Sequence, residues 1–177
     1  VKVGRGALMT NVTRAKKLAK SLVSVANASN CKTRALITNM DDPLSSAIGN
    51  ALEVETVVDV LLGKNKNEKA LLNTTIALSV ELYSMVYPEK SKMESKKKVC
   101  SLLDSGHVAE RFENMVSALG GPKDFLSTYK KVLPKTKYVI PIRAKKDGYI
   151  TQIDTKALGN ILLKIGGGRP VSYTHLT

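Results

Sequence analysis

Two short apolar runs flank an amphipathic helix at the start of this chain, and that order restricts the fold more than any other feature. In "VKVGRGALM" (1–9), Val1 and Val3 alternate before Gly4 and Gly6 break the pattern, as a buried strand does on entering a glycine loop. Thr10 or Asn11 can cap the next helix. In it Val12, Ala15, Ala19, Leu22, Val23 and Ala26 recur at helical spacing, with Arg14, Lys17, Lys20 and Ser21 opposite. After the polar turn "NASN", the run "RALITNM" (34–40) is short, apolar and bounded by turn residues, the pattern of a parallel central strand. Strand, helix, strand is the signature of parallel strands joined by a crossover helix, so the sequence predicts an α/β fold.

"DDPLSSAIGNALEV" (41–54) then falls at the carboxyl end of the second strand. Ligands of open α/β sheets bind at that edge, where loops are free of the ladder and helix amino termini point into the crevice. Asn50 with Glu53 forms a capping-box pattern that predicts a helix from Ala51 to near Gly63, leaving 43–49 as loop. Carbonyls in such a loop lack helical partners and need water, side chains or a cation. Two readings stay open: a ligand-binding loop, or an ordinary left-handed turn at Gly49 after a short helical turn at Asp42 and Pro43.

Further helices are expected over "ALLNTTIALSVELYSMVY" (70–87), "SKKKVCSLLDSG" (95–106) and "SGHVAERFENMVSALGG" (105–121). The last has a Ser105 cap, a stripe of Val108, Phe112, Met115, Val116 and Leu119, and a Gly120-Gly121 stop. His107, in its first turn, has no cysteine or carboxylate at ligand spacing and reads as a surface residue. The chain contains no G-x-S-x-G nucleophile motif and no P-loop. From Leu133 the period changes from helical to alternating. Tyr138, Ile140 and Ile142 line one arm of an expected hairpin, Asp147-Gly148 its turn, and Tyr149 to Ile153 the returning arm. Thr155 can cap a helix through Ile165 that stops at "GGGR" (166–169). The glycines serve either as that stop or as a close approach to phosphate with Arg169 as anion partner. A first unit over 1–132 and a smaller α+β one over 133–169 are therefore expected.

Composition bounds the function. At 177 residues and 43% hydrophobic, the chain can fill one core and part of a second. It has no apolar run of the roughly 18–20 residues that span a bilayer, and "VKVGRGALM" lacks a signal-peptide layout, so a soluble cytoplasmic protein is expected. Cys31 and Cys100 are in no Cys-x-x-Cys pair and read as reduced thiols. A net charge of +13 raises a nucleic-acid reading. The basic residues are scattered, however, and the densest cluster, "EKSKMESKKK" (89–98), includes glutamates. With aromatics at 5% and no Trp, stacking platforms for bases are scarce, and a solvated surface that also favours anionic substrates is the better reading.

"VKVGRGALM", "NMDDPLSSAIGNALEV", "FENMVSALGG" and "KKDGYITQIDTKALGNILLKIGGGR" resemble, in order, motifs of the thymidine phosphorylase and pyrimidine-nucleoside phosphorylase family over about residues 1–169. The resemblance implies reversible phosphorolysis, in which phosphate displaces thymine or uracil from C1 of the deoxyribose through an oxocarbenium-like transition state. Such chemistry rests on positioned cations and hydrogen-bond donors rather than a protein nucleophile. It also implies a homodimer, phosphate as co-substrate, and a large mixed or parallel-sheet α/β domain with flanking helices followed by a truncated α+β subdomain. The family's Lys-His-Ser-Thr-Gly-Gly phosphate loop and its base-holding Arg, Ser and Lys precede the Val-Lys-Val-Gly motif and are not in this sequence. A C-terminal fragment, inactive alone and with uncovered strand edges that favour aggregation, is the resulting expectation.

By the same resemblance Leu8, with Met9 beside it, corresponds to the wall of the base pocket; strand-end packing is the alternative. In some members a potassium ion is held by main-chain carbonyls at the positions of Leu44 and Ala47 and by a glutamate twelve residues after that leucine, where this chain has Thr56. Carbonyl donors suit such a cation. Glu55 lies one step away on the helix, about 100 degrees round, so the cation site is weakened, re-ligated or lost. Residues 170–177, "PVSYTHLT", depart from the family and look like a translated sequencing adapter, leaving His175 without functional weight. Two other classes remain: a basic nucleic-acid-binding protein, and a biotinyl- or lipoyl-like carrier module at 145–154, which lacks a modifiable lysine hairpin.

Overall fold

A computed structural model describes residues 1–167. The expectations for Arg169, His175 and the tail 170–177 lie outside the described residues. The chain runs β1 (Lys2–Val3), α1 (Val12–Ala28), β2 (Thr38–Asn39), α2 (Asn50–Leu61), α3 (Lys69–Val86), α4 (Lys92–Asp104), α5 (His107–Ala118), α6 (Phe125–Val132) and α7 (Thr155–Lys164).

β1 and β2 pair in parallel, Lys2 opposite Thr38 and Val3 opposite Asn39, with α1 as the crossover. The α/β character is therefore present, in a helix-rich form: among the described residues the sheet has these two strands. The strand expected over 34–40 shrinks to Thr38–Asn39. Only one neighbour offers ladder partners: the Val1 amino group donates to the Leu36 carbonyl at 2.6 Å, residues 31–35 run without ladder bonds, and Arg34 reaches Glu81 on α3 at 2.9 Å. Asn11 caps α1, its side chain accepting from the Thr13 and Arg14 amides at 2.8 and 3.2 Å. Of the expected apolar face, Ala15 and Ala19 are buried, while Val12 and Leu22 stay exposed.

The best-packed core lies between α2, α5 and α6. Val58, Phe125 and Tyr129 are buried there, with Val54, Leu62, Phe112, Val116, Leu126 and Leu133 around them. Phe112 and Phe125 stack at a tilt, 6.3 Å between centroids. Val108, Met115 and Leu119 of the predicted α5 stripe are exposed, because Ala109, Phe112 and Val116 form the face that turns inward. Glu113 on that helix accepts from the Leu126 amide at 2.9 Å, satisfying an orphan donor in the first turn of α6.

α3 and α4 pack against each other as a helical hairpin, closed by small polar residues. The Ser84 hydroxyl donates to Ser95 Oγ at 3.2 Å, and Ser95 passes its own hydrogen to the Ser91 carbonyl at 3.0 Å. Each serine has one hydrogen to give, so this chain satisfies both buried hydroxyls. A capping box between Ser91 and Glu94 starts α4 three residues before the expected stretch. Ser105, expected to cap α5, instead closes α4, and Gly106 in a left-handed conformation opens α5.

α6 ends at Val132, and no helix or strand is formed over 133–154. The hairpin expected at 138–153 is not there: Tyr138, Ile142 and Tyr149 are 79, 97 and 97% exposed. Alternation specifies a strand only when another strand supplies the ladder and a core takes one face. The two arms could pair with each other, but with their apolar side chains exposed no core takes one face, and a lone two-stranded hairpin is marginal in water. Among the described residues, no helix is long and apolar enough to cross a membrane.

Candidate functional site

Because β1 and β2 are parallel, the loops that leave their carboxyl ends emerge at one edge. The first is Gly4–Met9. A side chain at Gly4 would stand 2.6 Å from the Asp41 amide nitrogen, so this approach of the two loops requires glycine. Met9 is half-buried, bridges to Val3, and accepts from the Gly4 amide at 3.1 Å. Leu8 is 99% exposed. The second loop, 41–49, starts at Asp41, which accepts from the Arg5 amide at 2.9 Å and holds the Arg5 guanidinium at 3.6 Å.

α7 crosses this edge. The Met40 carbonyl accepts from the Gly6 amide at 3.3 Å and from the Thr155 hydroxyl at 3.2 Å, tying both loops to the start of α7 at one atom. Between α7, the 41–49 loop and α2 lies a crevice of about 390 Å³, lined by Met40, Asp42, Leu44, Ala47, Glu53 and Thr155 among others. That size suits a small organic ligand. Lys2 also faces it, so two carboxylates meet one ammonium and the crevice has no excess of positive charge.

Two glutamates fix the loop. Gly49, at φ +126 and ψ 140, is the residue that caps α2, one position before the expected Asn50. Those angles are reserved for glycine, and neither the expected Asn50 cap nor a left-handed turn describes them. Glu53 reaches back four residues to accept from the Gly49 amide at 3.0 Å, so neither bond of the predicted Asn50–Glu53 box forms. Glu68, just before α3, is 6% exposed. Its carboxylate accepts the Ser46 amide at 3.1 and 3.3 Å and also the Ser46 hydroxyl. Sequence reasoning missed Glu68 because "NKNEKA" reads as a solvated inter-helix turn. The available signal was its position: an acidic residue at a helix amino terminus meets the positive end of the helix dipole.

Of the residues predicted for a cation, Leu44 and Ala47 line the crevice and Thr56 does not. The Ala47 carbonyl already accepts the Ser45 hydroxyl at 2.8 Å. Thr56 is half-buried on α2. Glu55 pairs with Lys130 on α6 at 3.7 Å and so is not a substitute ligand. Glu53 and Glu68 are committed to loop amides. Among the described residues, no group of three or more His, Cys, Asp and Glu side chains gathers. The oxygens left at the crevice are the Leu44 carbonyl, the Ala47 carbonyl already shared with Ser45, and Asp42; with Thr56 outside the lining, the predicted set of two carbonyls and the residue at 56 is not assembled.

Elsewhere, His107 is exposed, with Nδ1 2.8 Å from Ser105 Oγ. Cys31 and Cys100 are both free thiols. Set against the models of known protein families, the chain matches none.

Proposed function

We propose that this chain is part of a pyrimidine (deoxy)nucleoside phosphorylase, built on a larger α/β sheet, whose reaction exchanges thymine for phosphate at C1 of 2-deoxyribose. The observation that carries the reading is the order of four sequence blocks, two of which, "VKVGRGALM" and "NMDDPLSSAIGNALEV", supply the two loops that meet at one edge of the parallel pair. Strand-end loops at a shared edge are where α/β enzymes bind ligands. The third block falls on α5 and its exit, and the fourth includes α7, which packs across those loops.

In this reading the crevice contributes shape and apolar surface rather than catalytic charge. Its balance of Asp42 and Glu53 against Lys2 leaves the phosphate to be held by residues of the family's Lys-His-Ser-Thr-Gly-Gly loop, a motif that these 177 residues do not contain. The complete enzyme works as a homodimer. A protein that carries both that motif and this chain is expected to release thymine from thymidine only when inorganic phosphate is present. No phosphate-dependent release from either thymidine or uridine would overturn the assignment.

A further inference from the structure

Resting on the reading of 41–49 as the ligand-edge loop, we infer that Ser45, Ser46 and Glu68 hold that loop in the place of a bound monovalent cation, so that its order is independent of potassium. A cation among loop carbonyls does two things. It neutralises carbonyl dipoles that have no hydrogen-bond partner, and it fixes the peptide planes that bear them. Here side chains fix the peptide planes and take up one of the two carbonyls. The Ser45 hydroxyl, at 2.8 Å, takes up the Ala47 carbonyl. The Glu68 carboxylate grips the Ser46 amide at 3.1 Å together with the Ser46 hydroxyl, which sets the Ser45–Ser46 peptide plane. At the far end Glu53 sets the Ile48–Gly49 plane through the Gly49 amide.

The charge arrangement points the same way. Glu68 is almost wholly buried, yet its two oxygens are supplied by one amide and one hydroxyl of the loop. A buried carboxylate needs such donors, and losing them costs more than the bonds themselves contribute. Glu68 and the loop therefore order each other. Position 56, a threonine, lines neither this contact nor the crevice.

Amide exchange in the full 177-residue chain, followed for the Ser46 and Gly49 amides in potassium chloride and in choline chloride of equal ionic strength, tests this. Protection is expected to be the same in both salts. Glu68→Gln is expected to lower Ser46 protection about tenfold in both, since a charge-assisted bond is lost, and Thr56→Val is expected to change nothing. Potassium-specific protection of the loop, or a Glu68→Gln variant as protected as the parent, would overturn the inference. Ser46→Ala, which removes the hydroxyl and keeps the amide, separates loss of the clamp from a general failure to fold: protection should fall at the loop and persist at Val58 in the core. None of these readouts involves nucleoside or phosphate. A failed thymine assay and a failed exchange test are thus independent results.

Discussion

Tyr129 on α6 donates its phenol hydrogen to Asp59 Oδ1 on α2 at 2.5 Å, with the ring 2% exposed and packed beside Val58 and Phe125. One short bond thereby joins the latest helix of the core to the helix that leaves the candidate site. Tyr129→Phe removes the hydrogen and leaves the Asp59 carboxylate short of a donor, so it is expected to cost about 1–3 kcal/mol in urea unfolding. Burial, and after it the Asp59 carboxylate, push the phenol from 10.0 up to about 12. The folded state thus keeps the proton longer than the unfolded one. The associated stability is complete below pH 10 and is lost as pH rises towards 12. In the phenylalanine variant that alkaline component should be missing.

α6 also shows which parts of the fold were readable in sequence. Asn11 announced α1 because a cap is a local event between a side chain and the next two amides. α3 was readable for a related reason, its long apolar face. α6 has only eight residues and sits between glycines and lysines, so its inward Phe125 and Tyr129, though spaced four apart, make too short a pattern to specify a helix. Alternation at 138–153 misled in the opposite direction, because a strand depends on partners that no local pattern reveals. At the candidate site, Leu44 and Ala47 are placed by resemblance, whereas Glu68 shows locally only its place at the start of α3, and its partner Ser46 lies 22 residues away.

Gly49 is held at a backbone conformation that residues with a Cβ rarely adopt. An added methyl would meet only Leu162 Cδ1, at 3.7 Å, an ordinary contact. Any effect of Gly49→Ala is therefore backbone strain, expected at about 1–3 kcal/mol, with fraying of the first turn of α2. Gly148→Ala, where nothing lies within 4 Å and φ is not positive, serves as the control and should melt like the parent. Equal melting of the two variants would contradict the strained conformation.

Ile142 and Ile150 are 97 and 83% exposed in the segment between α6 and α7. Extended apolar segments with unpaired backbone invite edge-to-edge association. Replacing both by lysine is expected to reduce light scattering and shift the protein to smaller species in gel filtration, with no change in helical circular dichroism. Loss of helical signal would mean that these side chains pack into the fold.

Glu81 on α3 binds Lys92 at 2.7 Å and Arg34 at 2.9 Å, which joins the start of α4 and the segment before β2 to one carboxylate. The hydrogen bond from Lys92, followed by that from Arg34, holds the carboxyl below 4.5, outweighing the opposing effect of burial. A depressed value in the folded state means the unfolded chain takes up the proton first. The contribution is therefore complete above about pH 4.5 and disappears as pH falls through the lower folded value. Lys92 is largely exposed, and exposed pairs contribute only about 0.2–1 kcal/mol, so Glu81→Gln should destabilise slightly at pH 7. Its clearer signature is expected below pH 4.5, where the difference between parent and variant in urea midpoint should narrow to nothing. A difference that stays constant from pH 7 to pH 3 would show that Glu81 contributes by packing rather than by charge.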